Sequence, residues 1–359
     1  MRLLPEFGIE PWILTNQYPG LRKEEIIDDI LVRRVRVPKI LNGRSFLYES
    51  WMLPSFIRFK GDYDLALIAS SGIAGTLIRD ICNKTVVREE TLTDDYAKQF
   101  RRKLTGKLRR IIFKRVNHVI VISPAVKKSH LDVSWPEEKM HLIPRGVDHN
   151  LFKPANSKDE IARIRNDLRL PQHPNLLFLT VGAIRERKGY LEVIEAWRLI
   201  TSEIESVYLI IVGPIGDKQY YQKLTKSIRQ YGLTSKIIFK GRSERVPEFM
   251  QCVDGFVFAS NNEGFPNVII EAMSSNLPIV AYNIDNILPY IINSPSLGIL
   301  LPRNDRIGFA NEVLRIARDP ALRQTIGSAA REEVISRFSL QKEAAEHAVL
   351  YKRLLNRSS

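Results

Sequence analysis

LLFLTVGAIRERKGYLEVIEAW, running from Leu176 to Trp197, decides how this chain is built. Its first part is a continuous apolar run that ends at Gly182, and its second part reads as a helix from about Gly189 onward. A strand that is apolar at every residue is buried on both faces, which is the habit of parallel sheets. Between strand and helix lies a short loop holding Arg185, Arg187 and Lys188. Cations at that point can clamp a diphosphate, the charge released when a glycosidic bond to phosphate breaks. A solvated basic turn is the plainer alternative.

The same unit recurs in both directions. Downstream, VYLIIVG (Val207–Gly213), KIIFKG (Lys236–Gly241), GFVFAS (Gly255–Ser260) and LPIVAY (Leu277–Tyr282) read as strands. Helices are expected over Gly189–Thr201, Gln219–Tyr231 and Asn267–Ser275. Upstream, DLALIAS (Asp64–Ser70), KTVVRE (Lys84–Glu89), HVIVIS (His118–Ser123) and MHLIPRG (Met140–Gly146) also read as strands. This alternation over the whole length predicts α/β with doubly wound sheets. The polar stretch FKPANSKDEI (Phe152–Ile161) marks a boundary, giving domains at 1–155 and 156–335. After about Asp319 the sequence turns helical, with Pro320 at one helix start, Ser339 as a cap, and 336–359 as a closing helix. Two such domains are expected to face across a cleft where strand ends meet, the usual ligand site.

Composition narrows the class. With 359 residues, 44% hydrophobic and 26% charged, the chain can bury two ordinary cores. No apolar run approaches the roughly 18 residues that cross a bilayer, and no secretory signal opens the sequence. Cys82 and Cys252 give no disulfide framework, and the six histidines are scattered, so no metal site is expected. A reducing, cytoplasmic setting is expected. The net charge of +14 is uneven, residues 1–155 carrying 27 Lys+Arg against 18 Asp+Glu.

The densest block, Lys98–Arg115, holds nine basic residues and no acidic one. Phe100, Leu104, Leu108, Ile111 and Ile112 recur beside them at helical spacing. Arg101, Arg102, Lys103, Lys107, Arg109, Arg110 and Lys114 would then dock on an anionic membrane surface, each adding roughly 1 kcal/mol. A solvated helix face is the alternative. Nucleic acid is not expected as a partner, because no recognition motif accompanies the block.

A second stretch, SNNEGFPNVIIEAM (Ser260–Met273), carries two carboxylates among apolar residues. It hands a loop directly to a helix N-terminus, where unpaired N–H groups favour an anion. Asn267 is expected to cap that helix, and Gly264 lets a ligand approach the backbone. Glu271 lies about one turn into a helix apolar nearly all round, so a carboxylate there needs donors, such as a pair of ribose hydroxyls. Glu263, on the loop, can reach the neighbouring sugar. The alternative is that Glu263 only complements the helix dipole and Glu271 faces solvent.

Taken together, VGAIRERKG, EGFPNVIIEAM and IPRGVDHNLFKP resemble the motifs of glycosyltransferase family 4, which is retaining and has two Rossmann-like domains in the GT-B architecture. Gly146, Val147, Asp148, Phe152 and Pro154 match that family's GVD-x3-F-x-P segment. FSLQKEAAEHAVLYKRLL is similar to its closing helix, which crosses back onto the first domain. The resemblance implies metal-independent transfer of a sugar from a nucleotide-diphosphate donor, which is a co-substrate, no cofactor being needed. It implies that Glu263 contacts the transferred sugar, that Lys188 and Arg187 hold the diphosphate, and that Glu271 takes the ribose. Gly182, Arg185, Arg242, Gly264, Phe265, Asn267 and Val268 would complete the donor site. The implied acceptor is a polysaccharide, a lipid-linked sugar or a glycolipid, met at the cytoplasmic face of a membrane.

Three departures from the pattern stand out. Ala183 occupies a position where many members carry arginine. A segment where many carry histidine reads TVVREETLTDDYAKQF, offering Arg88, Glu89 and Thr91 on the acceptor side. The opening MRLLPEFGIEPWILTNQYPG resembles the end of the family's first helix and its second strand, so an N-terminally truncated chain, with two open edges inside its first sheet, is expected. Two rivals to the enzyme reading are a catalytically weak donor-binding or scaffold subunit and a related epimerase. The lack of a base histidine near the cleft argues against the second.

Overall fold

A computed structural model describes residues 1–36, 54, 58, 59, 61–68, 85–89, 118–132 and 134–356. It divides into two compact units, Met1–Arg145 with Leu340–Ser359, and Gly146–Ser339.

In the first unit the described strands form two sheets. One has the order β1-β3-β2, built from β1 (Trp12–Asn16), β2 (Glu24–Ile27) and β3 (Ile30–Val35). β1 runs parallel to β3, whereas β2 and β3 form a hairpin closed by Asp28 and Asp29, both at positive φ. The other sheet is parallel throughout, in the order β4 (Ala66–Ile68), β5 (Thr85–Glu89), β6 (His118–Val121), β7 (Met140–Leu142). Among the described residues β1 and β4 are edge strands of their sheets. α1 (Pro124–Leu131) follows β6, its Ser123 hydroxyl accepting from the Val126 amide as an N-cap. The closing helix, α10 (Leu340–Asn356), belongs to this unit. Its Leu350, Tyr351 and Leu354 pack into a core with Leu4, Val86, Ile120 and Ile143.

The second unit holds a six-stranded parallel sheet in the order β10-β9-β8-β11-β12-β13. Its strands are β8 (Leu176–Val181), β9 (Val207–Val212), β10 (Ile237–Gly241), β11 (Gly255–Phe258), β12 (Ile279–Tyr282) and β13 (Ile299–Leu301). The helices are α2 (Lys158–Asp167), α3 (Tyr190–Glu203), α4 (Lys218–Gln230), α5 (Val246–Gln251), α6 (Asn267–Ser274), α7 (Leu288–Ile291), α8 (Arg306–Arg318) and α9 (Pro320–Phe338). β11 and β12 are buried at every residue, as the continuous apolar runs require. The core includes Phe178, Trp197, Tyr190, Val257 and Phe309, with the Phe178 and Trp197 rings edge to face at 5.8 Å.

The dividing point falls before Gly146, ahead of the polar stretch expected to mark it, and hydrogen bonds explain why. The Val147 amide donates to Phe338 O at 2.8 Å, and the Ser274 hydroxyl to Phe152 O at 2.6 Å. Arg331 of α9 adds donors to the carbonyls of Phe152 and His149 at 3.2 and 3.3 Å. Residues 146–155 are thereby laced to the second unit. At the other end, Ser339 pairs with Val147 in an isolated bridge, so the chain leaves that unit only at Leu340.

Candidate functional site

In the second sheet the winding direction reverses between β8 and β11: β9 and β10 extend one way, β12 and β13 the other. Loops after two such central strands diverge and leave a crevice at their carboxyl ends, where open α/β sheets take ligands. The cationic loop follows β8 and the acidic loop follows β11. Each is therefore delivered to the crevice by the strand order.

Backbone contacts draw these loops together. After β8 a single 3-10 turn, Glu186–Lys188, ends at Gly189, which is left-handed with φ 66°. A Cβ at Gly189 would lie 2.1 Å from Ala259 O, so only glycine lets this turn rest on the end of β11. The Asn261 amide donates to Arg187 O at 2.7 Å, and the Ser260 Oγ lies 3.1 Å from the same carbonyl. From below, the buried Tyr190 hydroxyl donates to Gly182 O at 2.7 Å. Burial pushes that phenol above its ordinary pKa, helped by Tyr220 and the Glu263 charge and opposed by Arg187.

Glu263 is where the two loops meet. Its Oε1 accepts from Lys188 Nζ at 2.5 Å, from Ser260 Oγ at 2.6 Å and from Arg187 at 3.2 Å. Arg187 also donates to Asn262 O at 2.9 Å. The Lys188 and Glu263 side chains are largely buried, at 13% and 12% exposure, whereas Arg187 is half exposed at 51%. The second carboxylate oxygen takes no hydrogen bond among the described residues. The site thus carries a shielded Lys–Glu pair with a half-exposed guanidinium at its rim, arranged so that an anion can compete for the cations and a hydroxylated ligand for the acid.

At the start of α6 the geometry differs from expectation. Pro266, not Asn267, is the N-cap residue, with φ −80° and ψ 88°, and no side chain caps the helix. Asn267 is the first helical residue and is exposed. Proline fixes the chain's entry into the helix, and an anion can meet the first amides uncontested. The Phe265 ring turns inward against Phe338, with centroids 5.8 Å apart, so only its backbone can face a ligand. Val268 is half-buried on the first turn. The Glu271 carboxylate makes no ion pair or hydrogen bond among the described residues, although its backbone carbonyl accepts from Ser275. Its desolvation raises the carboxyl pKa to about 7, as expected of an acid awaiting donors.

Not every candidate joins this group. Arg185 is exposed and lies over Gly216, where an added Cβ would come within 2.6 Å of its Nε. Arg242 follows the edge strand β10, two strands from β8, and is exposed without a partner among the described residues. Arg88 and Glu89 end β5 in the first unit. Thr91 and the proposed docking residues Arg101, Arg102, Lys103, Lys107, Arg109, Arg110 and Lys114 lie outside the described residues. Sequence reasoning missed Ser260, Tyr190 and Arg303. Ser260 had a usable signal, being the polar residue between a buried strand and the acidic loop. Arg303 had none. Among the described residues no cluster of histidine, cysteine or carboxylate is placed to hold a metal ion, and no helix is long and apolar enough to cross a membrane.

A doubly wound parallel sheet with oppositely charged turns on its two central strands defines a Rossmann-like α/β unit. The family profile described as Glycosyl transferases group 1 matches residues 160–333, and that described as Glycosyltransferase Family 4 matches residues 1–151. The chain belongs to the family 4 glycosyltransferases, with the GT-B fold. Among its relatives is the capsular polysaccharide biosynthesis glycosyltransferase CapM of Staphylococcus aureus, 25% identical over 67% of this chain and 62% of CapM. Another is the Escherichia coli UDP-Gal:alpha-D-GlcNAc-diphosphoundecaprenol alpha-1,3-galactosyltransferase, 27% identical over 59% of this chain and 54% of that enzyme. The chain therefore matches less than two thirds of the length of these relatives. The solved structure of Anabaena HepE in complex with UDP and glucose has the same fold, with a TM-score of 0.77 at 20% identity over 91% of this chain and 87% of HepE.

Proposed function

We propose that this chain is a retaining glycosyltransferase that moves a sugar from a nucleotide-diphosphate donor to a polysaccharide, lipid-linked or glycolipid acceptor. The observation that carries the reading is the convergence of Lys188, Arg187 and Glu263 on one point at the switch between β8 and β11. Lys188 and Arg187 hold the diphosphate and stabilise the negative charge that gathers on it as the glycosidic bond breaks. The amide of Gly264 and the uncapped first turn of α6, at Asn267 and Val268, add donors to the same anion.

As the phosphate oxygens take over the cations, Glu263 becomes available to accept from hydroxyls of the donor sugar. Glu271 accepts from the ribose hydroxyls, which supply the donors its buried carboxylate lacks. The leaving diphosphate itself takes the proton of the attacking acceptor hydroxyl, so the sugar is delivered to the face it left. Charge stabilisation in this scheme comes from side chains and amides, with no metal or cofactor assigned a role. CapM and the diphosphoundecaprenol galactosyltransferase, both similar in sequence, support a glycan or lipid-linked acceptor. The basic stretch Lys98–Arg115 supports action at the cytoplasmic face of an anionic membrane.

A thermal-shift panel of UDP-, GDP- and ADP-sugars tests the donor class, since a ligand at 100 times its Kd adds ~2.7 kcal/mol of stability. Hydrolysis of the best ligand by wild type and by Glu263→Ala then tests the enzyme. Equal background turnover in the two would favour a non-catalytic donor-binding subunit instead.

A further inference from the structure

The residue pair Ser260–Asn261 is the joint between the cationic and acidic turns, and it is held from two sides. On one side Arg187 O accepts from the Asn261 amide, while the Ser260 hydroxyl donates to Glu263 Oε1. On the other, Arg303 NH1 donates to Ser260 O at 3.2 Å and NH2 donates to the Asn261 side-chain oxygen. Arg303 belongs to the turn after β13, two strands from β11, where Pro302 precedes it and the left-handed Asn304 follows. Its side chain is two-thirds covered, at 33% exposure, and lies 3.9 Å from Glu192 Oε1 on α3.

We propose that Arg303 is a positioning residue for sugar transfer: its guanidinium fixes the register of the acidic turn against the cationic turn and so sets where Glu263 stands. The assignment rests on the transferase reading above. The physical argument is a short chain of contacts. Ser260 Oγ, at 2.6 Å, is one of three donors on Glu263 Oε1, so a tilt of the Ser260 backbone moves the acid. Without Arg303 the Ser260 carbonyl and the Asn261 side chain lose this fork. The joint then keeps the Asn261 amide bond to Arg187 O and the Ser260 hydroxyl bond to Glu263, which leave its tilt less fixed. A planar fork suits two acceptors on consecutive residues, which an ammonium serves only one at a time. Small displacements of a group that acts in the transition state lower turnover more than ground-state binding, and about 1 Å can cost on the order of a hundredfold. Arg303 itself touches no reacting atom in this account.

The test uses the full chain, the nucleotide sugar giving the largest thermal shift, and four proteins: wild type, Arg303→Ala, Arg303→Lys and Asn261→Ala combined with Arg303→Ala. Arg303→Ala is expected to lower kcat for donor hydrolysis about tenfold, with donor KM and nucleoside-diphosphate Kd within about twofold of wild type. Arg303→Lys should recover part of the loss, and added guanidinium ion at millimolar concentration should recover part of it in Arg303→Ala. The double variant should be no worse than Arg303→Ala, because both changes break the same contact. Unchanged kcat in Arg303→Ala overturns the proposal. So does a rise in KM and Kd at constant kcat, which would make Arg303 a donor contact. A loss that follows a fall in Tm and ignores both lysine and guanidinium also overturns it, since the role is then structural. A wild type that neither binds nor turns over any donor overturns the transferase reading and this proposal together, and it is seen before any variant is made.

Discussion

Two arginines stand at the two edges of the second sheet, Arg242 after β10 and Arg303 after β13. Each is two strands from a central loop, yet only Arg303 reaches one. Arg242 is exposed with no partner among the described residues, whereas Arg303 is two-thirds covered and bonded to the first two residues after β11. The difference lies in the turns. The β13 turn passes through Pro302 and the left-handed Asn304 before Asp305 caps α8, its side chain accepting from the Gly308 amide. That tight reversal aims Arg303 along the strand ends. β10 instead ends at Gly241, φ 65°, and its following residues run on to α5. A cation's place in the strand order does not make it part of a site; the backbone beneath it must also point it there.

The largest expected effect comes from the centre of this comparison. Lys188→Ala should lower kcat/KM for donor turnover by about 10²–10³, the cost of removing one preorganised charge from a developing anion. A fall of less than tenfold would shift the weight of the site toward the edges. Next, Glu263→Gln should abolish most turnover yet tighten nucleoside-diphosphate binding severalfold, because the phosphate no longer competes with a carboxylate for Lys188 and Arg187. Calorimetric titration with the diphosphate checks the sign, and weaker binding would mean that the ion pair does not compete with the ligand.

Glu271 gives a pH signature. Its folded pKa of about 7 lies above the ordinary 4.5, so its contribution is fully present below pH 4.5 and is lost as pH rises through 7. Above that, the charged form costs at most about 3 kcal/mol. Glu271→Gln should therefore unfold at higher denaturant than wild type at pH 8 and at about equal denaturant at pH 4. Nucleoside-diphosphate binding to wild type should strengthen from pH 6 to pH 8 if ribose hydroxyls meet the carboxylate, and a flat profile would remove Glu271 from the ribose site. The smallest effect is expected at the other edge. Arg242→Ala should raise donor KM by no more than about threefold, a rim charge in high dielectric, with kcat as in wild type. A tenfold loss of kcat there would erase the contrast with Arg303.

How much of this was legible beforehand depends on the range of the interactions. Every continuous apolar run read as a strand forms one, because a buried parallel strand writes itself into consecutive residues. The Glu24–Val35 hairpin escaped notice. Its arginines and glutamates pair across the strands (Arg33 with Glu24, Arg34 with Glu25), and its turn is Asp28–Asp29 rather than a glycine-containing pair. β13, only three residues long, falls below any periodicity signal. Asn267 looked like a cap because its side chain suits one. Which residue caps is set by φ and ψ at Pro266, and these depend on how the loop packs Phe265 against Phe338.

The amino-acid order alone fixed the α/β alternation, the charged turns after two buried strands, and the identities of Lys188, Glu263 and Glu271. These follow from local rules of burial, helix starts and charge. Only the tertiary structure decided that the two turns share one carboxylate oxygen, that Ser260 is their joint, and that Arg303 holds it. Those contacts span 42 to 76 residues of chain and exist because sheet order brings distant strand ends side by side.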